Sequence, residues 1–210
     1  MIEIIPAVLP RSIVELREGL SVLKGVSALV QIDIVADILG SEEALPMWEE
    51  FDFEFDIFLD HPERIVEQCV ALGGSRIVVH AGHSGAREAL EALQPRRDGE
   101  YAVATGLGLA VFDTLDTLEP FAGLYDFVQV MGIVNEGRQG EPFDEHAVSL
   151  TRALRAAYPQ LFIQVDGHTA GHEQVLAEAG ANRLIVGSAI LGADDPKRAY
   201  EEVYTRANAH

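Results

Sequence analysis

Three polar side chains of the kind that transfer protons lie near the ends of apolar runs in this sequence. Asp33 lies near the end of the run 28–34, His80 ends the run 75–80, and Asp166 follows the run 161–165. Two opposed carboxylates can work as an acid and base pair. An imidazole in such a place either orients a substrate or satisfies a backbone carbonyl. These residue types predict proton-transfer chemistry, provided that the fold brings the ends of the runs together.

The last quarter of the chain has the clearest local pattern. The apolar runs 161–165 and 182–186 predict two buried strands, and the helical pattern at 172–179 ends at Gly180. Two parallel strands joined by one helix form a βαβ unit. Gly167 and the pair Gly187-Ser188 come just after the strands, where backbone N–H groups can approach an anion closely. This segment therefore predicts a carboxylate beside two anion-binding turns.

The rest of the chain continues the same alternation of strands and helices. Further strands are predicted at 2–5 (ended by Pro6), 28–34, 53–60, 75–80, 101–107 and 126–131. Helices are predicted at 11–24, 43–49, 62–72, 84–93, 114–121 and 143–157, in a short turn after the eighth strand, and from 194 onwards. Eight such repeats predict a single (β/α)8 barrel over residues 1–210, rather than an open doubly wound sheet.

In such a barrel the active site lies at the C-terminal ends of the strands. The third strand alternates, so that Glu54, Asp56, Phe58 and Asp60 share one face and Phe53, Phe55, Ile57 and Leu59 the other. The candidate residues at the strand ends are Asp33, Asp60, His80, Met131, Asp166 and the Gly187-Ser188 turn, with Gln31 on the face of Asp33 and His168 beside Asp166. Aspartates at strand ends also commonly cap the following turn.

The composition excludes several classes of function. The formal net charge of −19 argues against nucleic acid and anionic membranes as partners. The two lysines, Lys24 and Lys197, are placed on or beside outer helices, which excludes a Schiff-base mechanism. The single cysteine, Cys69, lies in an apolar helical pattern and is expected to be a buried thiol. The absence of a membrane span, a signal peptide and a disulfide predicts a cytoplasmic protein.

Five segments resemble the ribulose-phosphate 3-epimerase family of phosphate-binding barrels, and the resemblance extends over nearly the whole chain. They are IIPAVLP at 4–10, FDIFLDHPERIVEQCVALGG at 55–74, VNEGRQGEPF at 134–143, QVDGHT at 164–169 and VGSAILGADDP at 186–196. The resemblance implies that two aspartates exchange a proton at the carbon beside a ketone, one on each face. Asp33 and Asp166 match those aspartates.

The resemblance also implies a divalent metal held by the two aspartates and two histidines, but here Gln31 and Phe58 stand at the histidine positions. Phenylalanine cannot bind a metal and an amide is a weak ligand. We therefore expect no tightly held zinc, iron or manganese at the family's position. A rearranged site made from Asp33, Asp60, Asp166 and His80 is the alternative.

Other positions depart from the family as well: Ala7 replaces a serine, Ala110-Val111 replaces Asn-Pro, Asp60 replaces a methionine and His168 replaces a glycine. The favoured hypothesis is an epimerase or isomerase of sugar phosphates that works without the metal. Gln31, Asp60, His80, Met131 and His168 are then expected to contact the substrate. Two alternatives stay open, namely a non-catalytic binder of phosphate ligands and a related barrel enzyme whose different substrate places a hydroxyl or amine at Asp60.

The expected ligand is a small phosphorylated sugar, and a homo-oligomer is possible. The phosphate of this ligand is assigned to backbone N–H groups of three turns, and Arg138 is expected to close over it. The turn residues are Gly137, Gly140, Gly167, Gly187 and Ser188, together with His168. The alternative is that these glycines only permit tight turns. A sister group of lyases and decarboxylases uses an Asp-x-Lys pair, which the sequence Asp33-Ile34-Val35 does not supply.

Overall fold

Eight parallel strands form a closed barrel in this protein. A computed structural model describes residues 1–40, 44–98, 102–138 and 140–209. The strands pair in the order of the chain, and β8 closes the barrel by pairing with β1. They are β1 (Glu3–Val8), β2 (Leu29–Ile34), β3 (Asp52–Ile57), β4 (Gly74–His80), β5 (Ala104–Leu109), β6 (Phe127–Met131), β7 (Phe162–Asp166) and β8 (Arg183–Val186). The prediction of a (β/α)8 barrel is confirmed.

Helices connect the strands on the outside of the barrel. They are α1 (Ile13–Leu23), α2 (Val66–Ala71), α3 (Ala86–Leu93), α4 (His146–Ala157), α5 (Glu173–Ala179), α6 (Ser188–Leu191) and α7 (Pro196–Ala207), with 3-10 helices at Pro62–Arg64, Gln94–Arg96 and Leu115–Phe121. None of the helices in the described part of the chain has the length and apolar character that a bilayer crossing requires.

Several predicted boundaries are wrong, for local reasons. The helix predicted at 43–49 is replaced by turns at 46–50, and residue 43 lies outside the described residues. Pro6 does not end β1, because it stays in register with Val186 of β8 and the strand continues through Ala7 and Val8, which pair with β2. The third strand ends at Ile57 instead of Asp60, and His61 already has a left-handed φ of 61°. The fifth strand begins at Ala104, and residue 101 lies outside the described residues.

The two faces of the strands have opposite chemistry. Outward-facing residues such as Ile32, Phe55 and Val79 pack into the hydrophobic core between the strands and the helices. This core also holds Cys69, and burial raises the pKa of its thiol to about 12, which leaves it an unreactive structural residue. The inward-facing side chains are largely polar, whereas branched aliphatic side chains usually fill such barrels.

Gln164 is the centre of the polar interior. Its Nε2 donates to Glu54 Oε1 and to Gln129 Oε1, both at 2.6 Å, and its Oε1 accepts from Arg183 Nη1 at 2.8 Å. Arg183 also donates to Glu3 Oε2 at 2.7 Å, at the N-terminal end of the barrel. Burial raises the pKa of Glu54 to about 7 in spite of the opposing charge of Arg183. Hydrogen bonds thus take the place of aliphatic packing along the barrel axis.

The packing around β5 gives a stability prediction. A Cβ built on Gly106 would lie 2.6 Å from the ring of Phe127 and 3.0 Å from Val78 Cγ2, whereas one on Gly82 meets nothing within 4 Å. Gly106→Ala should therefore lower the free energy of unfolding by about 1–3 kcal/mol through overpacking. The matched variant Gly82→Ala should stay within about 0.5 kcal/mol of the wild type. Urea unfolding measures both, and equal midpoints for the two variants would show that the strand is not tightly packed.

Candidate active site

Three aspartates meet at the C-terminal mouth of the barrel. Asp33 comes from β2, Asp56 from β3 and Asp166 from the end of β7, and one carboxylate oxygen of each lies within 4.8 Å of the other two. Asp33 and Asp56 are register partners on adjacent strands, which places both side chains on the same inward face. Asp33 and Asp56 are buried, while Asp166 is partly open to the mouth. We call these three residues the carboxylate cluster.

Amide groups from the barrel interior support the cluster from below. Gln31 Nε2 donates to Asp33 Oδ1 at 2.8 Å and lies 3.5 Å from Asp56 Oδ2. Gln129 Nε2 donates to Asp56 Oδ2 at 2.5 Å. The Gly167 N–H donates to Asp166 Oδ1 at 2.7 Å. Each carboxylate therefore has at least one donor, and Asp56 is the most firmly held of the three.

Burial and mutual repulsion favour the protonated forms of two of these carboxyl groups. Burial, followed by the charges of Asp166 and Asp56, raises the pKa of Asp33 well above its ordinary value. Burial and the charge of Asp56 raise the pKa of Asp166 to about 7. At neutral pH the cluster consequently tends to hold a proton, unless a cation offsets its charge.

His80 at the end of β4 is buried beside the cluster. Its Nε2 donates to Asp56 Oδ1 at 2.7 Å, because a carboxylate oxygen can only accept. Its ring lies 4.5 Å from that of Phe58, centroid to centroid. The partner residue on β5 is Gly108, where a Cβ would lie 2.5 Å from His80 Nδ1, so glycine makes room for the imidazole. Burial lowers the pKa of His80, but Asp56, Glu136 and Asp166 together outweigh this effect, and the net direction is upwards.

A cavity of about 210 Å³ opens above the carboxylate cluster. Ten of the residues predicted from the sequence line it: Asp33, Met131, Gly137, Arg138, Gly140, Asp166, Gly167, His168, Gly187 and Ser188. The three glycine-containing turns thus surround one space together with two of the aspartates. His168 adopts a left-handed φ of 53°, where a glycine would be unstrained.

Three predicted substrate-binding residues lie outside this cavity. Gln31 is buried beneath the cluster, and His80 is buried to one side of it. Asp60 is exposed, and its Oδ1 accepts a hydrogen bond from the Ser84 N–H at 3.2 Å. This hydrogen bond caps the turn after β4. Asp60 lies away from the cavity because β3 ends three residues earlier and the chain then turns outwards.

The sequence interpretation did not single out Asp56 or Glu141. Asp56 is the third member of the carboxylate cluster, and Glu141 lines the cavity, where its Oε2 accepts from Asn135 Nδ2 at 2.9 Å. The alternation of β3 already placed Asp56 on the inward face, so the signal for this residue was present. Glu141 lies in an irregular loop, where no periodic pattern predicts the direction of a side chain.

The fold and the site define a (β/α)8 barrel with acidic groups and anion-binding turns at its mouth. Residues 32–191 match the sequence profile of the Ribulose-phosphate 3 epimerase family, and the chain belongs to this family. Ribulose-phosphate 3-epimerase of Schizosaccharomyces pombe is 28% identical over 150 residues, which cover 71% of this chain and 64% of that protein. The cytoplasmic isoform of Oryza sativa is 26% identical, covering 67% and 61% respectively. The match thus spans less than two thirds of these relatives.

Solved structures with similar folds cover almost the full chain. A structure of KGPDC from Streptococcus mutans in complex with a phosphorylated sugar has a TM-score of 0.71 at 13% identity, and it covers 99% of both chains. A 3-hexulose-6-phosphate synthase has a TM-score of 0.68 at 16% identity, covering 98% of this chain and 99% of its own. At such low identity these likenesses establish the barrel fold alone.

The expectation that the site holds no metal is not supported. Members of the family typically bind a divalent metal, and the carboxylate cluster offers three oxygen ligands in one place. The sequence interpretation considered Asp60 as a substitute ligand, whereas the structure brings Asp56 to the other two aspartates. Carboxylate oxygens suit hard cations such as Mg²⁺ or Mn²⁺ better than zinc. The donor set therefore fits a cation, although of a different kind from a histidine-rich site.

The raised pKa of Asp166 predicts how stability depends on pH. Because the folded state holds the proton up to about pH 7 and the unfolded state releases it near pH 4, the free energy of unfolding should fall over that interval. This contribution is at most about 4 kcal/mol, since one pKa unit corresponds to about 1.4 kcal/mol. Urea unfolding at pH 5 and pH 8 in EDTA should show the decrease, and Asp166→Asn should reduce it. Asp60→Asn is the matched control and should keep the full decrease. If Asp166→Asn keeps it too, Asp166 is ionised in the folded protein.

Proposed function

We propose that this protein is a ribulose-phosphate 3-epimerase-like isomerase, which exchanges a proton beside the ketone of a small sugar phosphate. Membership of the family and the positions of Asp33 and Asp166 support this function. The observation that carries it is the pair of aspartates in one cavity, with carboxylate oxygens within 4.8 Å of each other. A carbon about 3 Å from each oxygen fits between oxygens that are up to about 6 Å apart.

The two carboxyl groups are suited to complementary roles. A group with a pKa of about 7 can accept or donate a proton near neutral pH, which is the range where Asp166 titrates. The pKa of Asp33 is also raised, so that one of the pair holds a proton when the other is ionised. In the proposed reaction the ionised aspartate removes the proton beside the ketone, and the protonated one returns a proton to the opposite face. The two groups exchange protonation states in each turnover.

Asp56 helps to keep the pKa values of Asp33 and Asp166 raised. Its charge raises the pKa of both Asp33 and Asp166, while His80 and Gln129 hold its two oxygens in place. A divalent cation, held by the carboxylate cluster, would supply electrostatic stabilisation of the enediolate. Of Gln31, His80 and His168, which were expected to contact the substrate, only His168 lines the cavity, since Gln31 and His80 donate to the aspartates. His168 is therefore the residue of these three that is placed to donate to the enediolate.

The phosphate of the substrate is assigned to the backbone turns around the cavity. Gly137, Gly140, Gly167 and Gly187-Ser188 all line it, and Arg138 adds a positive charge at the rim. Backbone N–H groups are suitable here because the protein carries a formal net charge of −19 and does not attract anions over a distance. The S. mutans barrel, which was solved in complex with a phosphorylated sugar, supports the same class of ligand for this chain.

A non-catalytic binder of sugar phosphates is the second candidate. Gln31 and Phe58 favour it, because they stand at the positions where the resemblance implies metal-binding histidines. In that case the aspartates only accept hydrogen bonds from the sugar hydroxyls. The two candidates differ in one measurable property, which is whether the proton beside the ketone exchanges with solvent.

Deuterium exchange into a panel of ketose phosphates, followed by NMR, tests the proposed reaction. The wild type should exchange the proton beside the ketone of at least one of them. Asp166→Asn should slow this exchange by about 10²–10⁴-fold, the usual contribution of a positioned acid or base. Phosphate affinity should change little, because backbone groups hold the anion. Asp60→Asn should exchange like the wild type.

Two results would contradict this assignment. Binding of several ketose phosphates without any exchange by the wild type would establish the binder. Full exchange by Asp166→Asn would show that the aspartate is structural.

The composition of the carboxylate cluster predicts weak binding of a hard cation. Protein purified without chelator should contain less than one equivalent of zinc or iron, because no histidine joins the cluster in the described part of the chain. Titration with Mn²⁺, followed by electron paramagnetic resonance, should detect one site. Asp56→Asn should weaken that site about tenfold or more, whereas Asp60→Asn should leave it unchanged. Stoichiometric zinc that survives dialysis, or unchanged Mn²⁺ affinity in Asp56→Asn, would refute the carboxylate site.

A further inference from the structure

Glu136, in the loop after β6, reaches into the barrel mouth and meets His80. Its Oε2 lies 3.3 Å from His80 Nδ1, and its side chain is 19% exposed against 2% for His80. The residue follows Met131, the last residue of β6, by five positions, while His80 ends β4. A loop carboxylate thus contacts an imidazole that lies within the barrel wall.

The Nδ1 atom of His80 is a buried polar atom without a hydrogen-bond partner among the described residues. Leaving such an atom unsatisfied is unfavourable, because its lost hydration is not replaced. Glu136 Oε2 is at ion-pair distance, but the geometry is not that of an aligned hydrogen bond. Hydrogen bonds in active sites are often long or poorly aligned before the ligand binds, and they shorten in the complex.

The other end of the imidazole leads directly to the carboxylate cluster. His80 Nε2 is 2.7 Å from Asp56 Oδ1, and Asp56 lies within 4.8 Å of both Asp33 and Asp166. Neighbouring polar groups therefore lead from Glu136 through His80 to the three aspartates. His80 thus lies between the loop residue Glu136 and the aspartates that are proposed to transfer protons.

The same loop also lies against the mouth of the barrel on the side of β2 and β3. A Cβ built on Gly137 would lie 3.1 Å from Val35 Cγ1 and 3.4 Å from Phe58 Cβ, so the backbone of the loop is close to both side chains. Gly137 and Arg138 line the cavity as well. The Glu136–His80 contact consequently forms in an arrangement in which the loop covers the site.

We propose that Glu136 is a positioning residue, which joins the loop to His80 when the loop covers a bound phosphate ligand. This role rests on the proposed function insofar as it concerns catalysis. The Glu136 carboxylate accepts from His80 Nδ1, and His80 in turn donates to Asp56 and holds the carboxylate cluster in its working arrangement. Closure of the loop and the orientation of the cluster are then coupled through one imidazole ring.

Hydrogen–deuterium exchange of residues 132–138, with and without saturating inorganic phosphate, tests this role without any need for catalysis. Phosphate should slow exchange in this segment of the wild type. Glu136→Leu keeps most of the volume but removes the acceptor, and should reduce the phosphate-induced protection about tenfold. Glu136→Gln keeps an acceptor oxygen and should retain most of the protection. Val134→Ala, at an exposed position of the same loop, should behave like the wild type.

A double-mutant cycle assigns the effect to His80. In a His80→Gln background, Glu136→Leu should cause no further loss of protection, because its partner is already absent. Wild-type protection in Glu136→Leu would overturn the proposal, and so would equal losses by Glu136→Leu with and without His80. If the wild type exchanges a ketose-phosphate proton, Glu136→Leu should lower kcat about tenfold and Glu136→Gln less. If it exchanges none, the proposed function fails while the loop measurement still decides the role of Glu136.

Discussion

The accumulation of negative charge at the barrel mouth is the constraint on which the rest of the site depends. Asp33, Asp56 and Asp166 place carboxylate oxygens within 4.8 Å of one another, in a protein of formal net charge −19. Three ionised carboxylates in a largely desolvated site repel each other strongly. The structure reduces this repulsion with amide donors from below, an imidazole from the side, and raised pKa values that keep protons on the cluster. The same raised pKa values make the group suitable for proton transfer.

The polar interior of the barrel serves this arrangement. Gln129 connects the two halves of the barrel, because its Oε1 accepts from Gln164 and its Nε2 donates to Asp56. Gln164 in turn accepts from Arg183, which is paired with Glu3 at the opposite end. An aliphatic side chain in place of Gln129 would fill the interior, but it would leave Asp56 without one of its hydrogen-bond donors. Hydrogen bonding along the barrel axis therefore fixes the most buried carboxylate, on which the pKa values of the other two depend.

Gln31 and Phe58, which stand where the resemblance implies metal-binding histidines, contact the carboxylates or their supporting residues in this structure. Gln31 donates to Asp33 and lies near Asp56. The ring of Phe58 packs on His80 and helps to enclose it. The loop backbone at Gly137 lies against the side chain of Phe58. Both side chains therefore contact the carboxylates or the residues that support them.

The sequence by itself determined the barrel and the ends of the strands that carry Asp33, His80 and Asp166, because these follow from local periodicity and turn chemistry. Eight alternating units, with Asp33, Asp166 and the glycine turns in fixed places along them, leave little choice of architecture. The same reasoning misplaced Asp60, since the end of β3 depends on where the chain leaves the sheet, at a left-handed residue that no period predicts. Only the tertiary structure decided that Asp56 joins the aspartates, because that depends on the register between β2 and β3. Only it placed Glu136 against His80, because a loop side chain takes its direction from contacts with distant strands.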